Sequence, residues 1–331
     1  MATSPVPVVI RKHKPLRGSL VWSLRCLGAV IFLILLMRLP TRHMELVRID
    51  LRWIAWCMLL TIAQLLLETL TWQTLLWSQR IRYPYPKTLL AYLASHYLGL
   101  VTPGHVGEFL AAGYISMDTG ITFGYALSSV IMRKLLNWAV VVAFGLWGLP
   151  FLASYPFGQG VRRAFAIGLI VLVVLAAGIA IWVVSVKRLA KKWEKLSPWQ
   201  IDTTELWSGM RHLVSPRLVL PLALTAASFS LLFFQLDAVL RALGISLPFT
   251  LVSQIMAFSR IVGRIVPLSV IGLGTKDAVV VDLLSRQGID FSVGLAATLL
   301  LLLCSYLLTL ILSAISWWVK PIVVRRAQRT S

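Results

Sequence analysis

The chain has 331 residues, of which 58% are hydrophobic and only 13% are charged, whereas about a quarter of the residues of a soluble domain are charged. This composition excludes a soluble protein and predicts an integral membrane protein, because several apolar runs exceed the roughly 20 residues that cross a bilayer. The formal net charge of +20 indicates membrane topology and contact with anionic headgroups. We expect no nucleic-acid partner, since there is no basic soluble domain to hold one.

Six continuous apolar runs are long enough to form transmembrane helices. The first follows a basic arm, residues 1–18, and we expect it to remain as an anchor because it lacks a small-residue cleavage signature. A basic tail covers residues 321–331, so a single transmembrane domain is predicted over residues 19–320. The approximate bounds of spans 1 to 6 are 19–37, 51–77, 121–149, 164–186, 217–241 and 291–319.

Two further apolar stretches, 87–117 and 250–286, are interrupted near the middle by proline, glycine and charged residues. We interpret both as re-entrant helical hairpins, where non-helical backbone survives at membrane depth. With this interpretation the strongly basic segments and both termini share one side, which the positive-inside tendency assigns to the cytoplasm. The predicted fold class is an all-α polytopic membrane protein with six transmembrane helices and two re-entrant hairpins. The predicted location is the bacterial cytoplasmic (inner) membrane.

The prolines of the two interrupted stretches recur at the same spacing. Pro84 lies 19 residues before Pro103, and Pro248 lies 19 residues before Pro267. Each second proline precedes a glycine-rich stretch with an acid, PGHVGE in one half and PLSVIGLGTKD in the other. Span, hairpin and span thus occur twice, with the hairpins entering from opposite sides. Such an inverted repeat places a site near the midplane. The predicted repeats cover residues 51–149 and 217–319.

The first hairpin contains the motif PGHVGE. Proline suits the first turn of a helix, and glycines permit a tight reversal with close helix contact. Glu108 then falls where the helix dipole favours an anion. Either Glu108 only caps a half-helix, or it binds a cationic headgroup or a proton, as intramembrane carboxylates often do. The predicted substrate-binding residues of this hairpin are Pro103, Gly104, Gly107 and Glu108.

The second hairpin is basic. Arg260 and Arg264 lie four residues apart on one helical face, an arrangement that suits a phosphate, and Lys276 is next to Asp277. We predict that these four residues bind substrate and that one of the arginines meets Glu108 at the midplane. The alternative is that the arginines pair with nearby carboxylates or extend to the interface.

Span 3 contains a basic pair, Arg133 and Lys134, near its middle. Because charge is expensive at this depth, we expect at least one of the two to face the cavity and bind substrate. Glu68 and Asp237, in spans 2 and 5, are predicted to serve helix packing.

His96, His105 and Glu108 suggest a metal site, because a histidine and an acid three residues apart can share a helix face. The helix is broken there, however, and further ligands are not obvious, so we predict neither a metal nor a cofactor. The three cysteines, Cys26, Cys57 and Cys304, lie in apolar runs and are interpreted as small core residues.

The segments LGLVTPGHVGEFL and RIVPLSVIGLGTKDAVVVDLL resemble the lysylphosphatidylglycerol synthase transmembrane-domain family, also called flippase-like membrane proteins. The resemblance covers roughly residues 20–320, and its most specific part is Pro-Gly-x-x-Gly-Glu. The second motif, normally ending in Glu, is matched conservatively by Asp277. Two departures stand out. The arginine that often follows the first motif is missing, with Ala111 and Ala112 nearby. The Glu-Arg-x-x-Asp pattern expected in span 3 is replaced by the run from Arg133 to Asn137.

The resemblance implies lipid handling, with membrane lipids (anionic phospholipid or lipid-linked sugar) as partners. In fused members a soluble transferase domain makes aminoacyl-phosphatidylglycerol and the membrane domain translocates it. This chain stops about a dozen residues beyond span 6, so we expect no transferase domain and no enzyme activity. The leading hypothesis is a flippase for a polar phospho- or glycolipid headgroup. The alternatives are a proton-coupled transporter of a small solute and a non-transporting partner of a separate lipid-modifying enzyme.

Overall fold

The computed structural model describes residues 49–101, 103–148, 203–265, 269–270 and 273–320. Spans 1 and 4, the basic arm and the basic tail lie outside the described residues. A two-residue antiparallel pair joins Ser269–Val270 to Leu273–Gly274. The α-helices, α1 to α10 in chain order, are Leu51–Ser78, Tyr85–Val101, Ala111–Thr119, Phe123–Trp147, Thr203–Leu213, Val219–Ala242, Phe249–Ile265, Thr275–Arg286, Phe291–Leu301 and Leu308–Val319.

Four of the predicted spans are helices of membrane-crossing length and composition. Spans 2 and 3 are α1 and α4, and span 5 is Pro216–Ala242, in which a short 3-10 turn precedes α6. Span 6 is Phe291–Val319, in which a π-helical stretch, Leu302–Leu307, joins α9 to α10. Many large apolar side chains remain exposed on these helices, as expected for surfaces that face lipid. The prediction of a helical membrane protein is confirmed for the described residues.

Helices α1 and α6 pack along their length and run antiparallel. The amide of Asp50, just before α1, donates to the carbonyl of Ala242 at the end of α6, with a distance of 3.0 Å. Further along, Nε2 of Gln235 donates to Oε1 of Gln64, with a distance of 2.9 Å. The start of α1 therefore lies beside the end of α6, and the two helices run in opposite directions.

The two helices end in the same backbone motif, 164 residues apart (80 to 244). After α1, Arg80 has φ 60° and the amide of Ile81 donates back to the carbonyl of Leu76 at 2.9 Å. After α6, Gly244 has φ 75° and the amide of Ile245 donates back to Leu240, also at 2.9 Å. This is the Schellman type of helix end, in which a left-handed residue lets a later amide satisfy an orphan carbonyl.

The interrupted stretches also correspond in their bounds. Helices α2 and α7 each contain 17 residues and begin one residue after Pro84 and Pro248, at the same offset of 164. Beyond the interruption, α3 and α8 are followed by left-handed glycines, Gly120 (φ 73°) and Gly288 (φ 82°). The offset there is 168 residues (120 to 288), so the second stretch is four residues longer than the first.

Each half has its own apolar core. In the first half, α1 to α4 surround the fully buried Trp72, whose Nε1 donates to Oγ of Ser129 at 3.0 Å. In the second half the core lies among α6 to α9, and Phe144 of α4 stacks there on Phe229 with ring centroids 5.1 Å apart.

The two ends of the first interrupted stretch meet at one end of the molecule, in a group that we call the terminal clamp: Tyr83, Tyr114, Asp118 and Lys320. The hydroxyl of Tyr83 donates to Oδ2 of Asp118 at 2.5 Å, and Nζ of Lys320 pairs with the same carboxylate. The hydroxyl of Tyr114 donates to the carbonyl of Lys320 at 2.6 Å. Burial alone would raise the pKa of Asp118, but the hydrogen bonds from Lys320 and Tyr83 hold it below its ordinary value.

Candidate functional site: a charged network between the interrupted stretches

The motif of the first interrupted stretch forms a 3-10 helix, Pro103–Leu110, which begins at its proline and contains Gly104 in its first turn. Two glycines let this helix lie directly against α2. A side chain at Gly107 would overlap the backbone carbonyl of Leu98, and a Cβ at Gly99 would lie only 2.5 Å from Cγ of Glu108. The glycines thus place Glu108 against the backbone of α2, where its side chain is only 12% exposed.

Glu108 is surrounded by basic groups. Its Oε2 lies 2.8 Å from Nζ of Lys134 and 3.5 Å from Nη2 of Arg133, both on α4. Its Oε1 lies 3.6 Å from Nδ1 of His96 on α2. Both members of the basic pair in span 3 are therefore turned toward the interrupted stretch.

The network continues from Arg133 to a second carboxylate. The guanidinium carbon of Arg133 lies 4.6 Å from the ring centroid of Tyr92, and the hydroxyl of Tyr92 donates to Oε2 of Glu68. Oε1 of Glu68 accepts from Nε2 of Gln64 at 3.0 Å and from Oγ of Ser228 at 3.3 Å. Because Ser228 belongs to α6, Glu68 joins the two halves near the middle of both crossing helices.

Glu68 and Tyr92 are members of the network that the sequence interpretation did not assign to the site. For Glu68 the available signal was a lone carboxylate inside an apolar span, which was assigned to helix packing. It does contact α6, but it also connects to Glu108 through Tyr92 and Arg133. Tyr92 carried no signal, because a tyrosine in an apolar helix is common.

The arginines of the second interrupted stretch lie on the far side of the network. Nη2 of Arg264 donates to Oδ1 of Asn137 at 2.9 Å, and Arg264 lies within electrostatic range of Glu108. Arg260 makes no hydrogen bond or ion pair with the residues that the structure describes, and its Nε is buried. Arg260 lies within electrostatic range of Glu68, Asp277 and Arg264. The ion pairs described for Glu108 thus come from α4 and His96, whereas the hypothesised arginine partner bonds to an amide.

Lys276 and Asp277 lie in the first turn of α8. Nζ of Lys276 is 3.8 Å from Oδ1 of Asp277, and Oδ2 of Asp277 accepts from the amide of Gly274 at 2.9 Å. A Cβ at Gly263 would lie 3.0 Å from Cβ of Lys276. Gly263 therefore leaves room for the side chain of Lys276, just as Gly99, 164 residues earlier, leaves room for the side chain of Glu108.

In the described part of the chain, no group of three or more His, Cys, Asp or Glu side chains is placed to hold a metal ion. Cys57 and Cys304 are buried free thiols in the core of the second half, and Cys26 lies outside the described residues.

Residues 20–313 match one protein family, described as the lysylphosphatidylglycerol synthase TM region. The chain belongs to this family. The family relates the chain to the synthesis or flipping of membrane lipids, and the resemblance noted from the two motifs is confirmed. No curated protein and no solved structure matches the chain.

For this member of the family, the structure gives the motif Pro-Gly-x-x-Gly-Glu a physical role. Its second glycine allows contact with the backbone of α2, and its acid ends among the cations of α4. Where the sequence of span 3 departs from the expected pattern, Asn137 takes the place of an acid and accepts the hydrogen bond from Arg264.

Proposed function

We propose that the chain is a lipid flippase that moves a polar phospho- or glycolipid headgroup between leaflets, through the space between the two interrupted stretches. The observation that carries this proposal is the network around Glu108, because both halves contribute charges to it near the middle of crossing helices. Ionisable groups at such depth are costly, and they mark pathways for polar substrates. Membership of a lipid-handling family supports the same substrate class.

The proposed topology has six crossing helices, two re-entrant hairpins and an inverted repeat. The antiparallel packing of α1 and α6 supports an inverted relation between the two halves. The shared offset of 164 residues between their helices supports a repeat. The terminal clamp supports re-entry of the first hairpin, since it joins the ends of that stretch. Three basic residues lie at the end of the molecule that contains the terminal clamp: Arg80, Arg82 and Lys87. The positive-inside tendency therefore favours the cytoplasmic side of a bacterial inner membrane for this end and for both termini.

In this proposal the protein exchanges ion pairs and makes no covalent bond. Lys134 and Arg133 hold Glu108 while the site is empty. A headgroup phosphate then takes hydrogen bonds from Arg260 and Arg264, and its polar groups compete for the partners of Glu108. Exchanging one ion pair for another is favoured over separating the charges, because a buried charge without a partner costs several kcal/mol. The lipid leaves chemically unchanged, which mass spectrometry of the lipid after the transport assay can check.

The test is reconstitution into liposomes that contain fluorescent NBD-phosphatidylglycerol, with dithionite reporting the lipid that reaches the outer leaflet. We expect the wild type to accelerate exchange, and Glu108→Gln and Arg264→Gln to slow it at least tenfold. Glu205→Gln and Arg286→Gln are matched controls: Glu205 accepts only a 3.3 Å hydrogen bond from Thr122 among the contacts described, and Arg286 pairs with its own helix.

Two outcomes would contradict the proposal. If the wild type exchanges lipid no faster than protein-free liposomes, the chain is not a flippase under these conditions and the partner hypothesis gains. If Glu108→Gln exchanges lipid as fast as the wild type, Glu108 is only a helix cap and the network is not the pathway. Each variant must elute normally and have a normal melting temperature, so that a folding defect is not mistaken for loss of transport.

A further inference from the structure

We propose that the site selects headgroups carrying two negative charges, such as a phosphomonoester or a pyrophosphate, over zwitterionic or cationic headgroups. This inference rests on the proposed function and specifies the substrate class of the same site. It follows from the excess of basic over acidic side chains in the network. It also follows from the position of the basic side chains that have no carboxylate partner among the described contacts.

The network has more cations than anions. With His96 neutral, its five basic side chains exceed its three acidic ones, so the formal charge is +2. The basic members are Arg133, Lys134, Arg260, Arg264 and Lys276, and the acidic members are Glu68, Glu108 and Asp277. A surplus of charge is costly at membrane depth, so a bound counter-anion is favoured.

The other acids that the structure describes do not neutralise this surplus. The chain has twelve acidic residues, and the six described ones outside the network have partners elsewhere. These six are Asp50, Asp118, Glu205, Asp237, Asp282 and Asp290. The sequences of spans 1 and 4 contain no Asp or Glu, and the remaining three acids fall between the predicted spans.

Arg133 of α4 also has a buried Nε without a hydrogen bond, but its Nη2 faces Glu108, so the arginines without a carboxylate partner among the described contacts lie together on α7. Arg260 has a buried Nε and makes no hydrogen bond with the described residues, and Arg264, one helical turn away, bonds only to the neutral Asn137 among the hydrogen bonds described. Glu108, by contrast, already faces two cations. The surplus is therefore concentrated on two guanidinium groups of one helical face, and their planar forks match the oxygens of phosphate.

A doubly charged phosphate would satisfy both arginines and bring the network to neutrality. A phosphomonoester carries about −1.5 to −2 at pH 7. A zwitterionic headgroup would leave the surplus in place, and a cationic aminoacyl headgroup would add to it.

The test compares three lipids at pH 8 in the same liposomes, each labelled with NBD on an acyl chain. They are phosphatidic acid (phosphomonoester), phosphatidylglycerol (one negative charge) and phosphatidylcholine (zwitterionic). We expect the wild type to move phosphatidic acid at least tenfold faster than phosphatidylcholine. Asn137→Asp adds one negative charge beside Arg264 with almost no change of shape. We expect it to lower the ratio of phosphatidic acid to phosphatidylglycerol rates severalfold, whereas Gln287→Glu, on the exposed end of α8, leaves the ratio unchanged.

The outcomes separate this inference from the proposed function. Equal rates for the three lipids, with all of them abolished in Glu108→Gln, would overturn the charge preference and leave the flippase standing. An unchanged ratio in Asn137→Asp would likewise overturn it. Absence of exchange for every lipid in the wild type would refute the flippase itself. Inorganic pyrophosphate in the outer buffer distinguishes the source of the phosphate: competition without uptake is expected, and uptake would assign the site to a soluble anion.

Discussion

The contact between Gly99 and Glu108 yields a double-mutant test of the arrangement on which the site depends. Gly99→Ala places a methyl group 2.5 Å from Cγ, 3.3 Å from Cδ and 3.2 Å from Oε1 of Glu108, and these are the three nearest atoms. Ordinary contacts of this kind are about 3.5–4 Å. The two groups must therefore separate by about 1 Å, and Glu108 must move relative to Lys134.

The magnitude follows from the nature of the clash. Overpacking of this size costs about 1–3 kcal/mol. In the Glu108→Ala background the three clashing atoms are gone, and Ala in place of Gly then favours the helix by about 0.5–1 kcal/mol. We therefore expect a coupling energy of about 1.5–4 kcal/mol between the two substitutions. Gly99→Ala alone should lower Tm by about 2–6 °C, at roughly 2 °C per kcal/mol for a long chain.

Thermal unfolding of the four proteins in one detergent is the measurement, and the thirteen tryptophans supply the fluorescence signal. The expected pattern is a lower Tm for Gly99→Ala in the wild type and an unchanged or slightly higher Tm when it is added to Glu108→Ala. If Gly99→Ala lowers Tm equally in both backgrounds, the two residues do not touch and the description of the first interrupted stretch is wrong.

Three further predictions follow from the same description. Gly107→Ala should lower Tm by more than Gly120→Ala, because the first overlaps backbone whereas the second costs only the roughly 1 kcal/mol of a left-handed alanine. Because the pKa of Asp118 is held below its ordinary value of 3.8, its ionised form stabilises the fold above that pH. The Tm difference between the wild type and Asp118→Asn should therefore shrink as pH falls below about 4, and a constant difference would contradict this pairing. Single cysteines at Tyr85 and Gly120, in a cysteine-free background, should both react only with a cytoplasmic thiol reagent, and labelling from opposite sides would exclude a re-entrant first hairpin.

The four described spans and the interrupted helices were predictable because their signals are local. Long apolar runs can be stable only as helices in lipid, and the helices at Tyr85 and Phe249 begin directly after prolines, which fix the backbone of a first turn. The matched spacing of those prolines also predicted the shared offset that the helix bounds display. Such features depend on the residues of one segment and not on how segments pack.

The partners within the site were less predictable, because they depend on the rotation of each helix about its axis. The sequence marked Glu108, Arg133 and Lys134 as charges inside apolar segments, but it could not specify which cation would face the carboxylate. The packing of α4 against the first stretch decides this, and it leaves Arg264 with Asn137. The π-helical stretch, Leu302–Leu307, was not predictable from the sequence, because it contains no proline, glycine or charged residue.

The correspondence between the halves separates what the fold supplies from what the side chains supply. Gly99 and Gly263 make the same opening in α2 and α7, yet the charge that fills it is Glu108 in one half and Lys276 in the other. The basic pair of span 3 has Leu301 and Leu302 at the corresponding places, 168 residues later. The helix bounds therefore correspond while the charges do not, and the arginines without a carboxylate partner among the described contacts lie on one interrupted stretch. In the proposed function, an anionic headgroup between the two stretches would be attracted toward Arg260 and Arg264, so we propose that any headgroup preference arises from these side chains rather than from the helix bounds that the halves share.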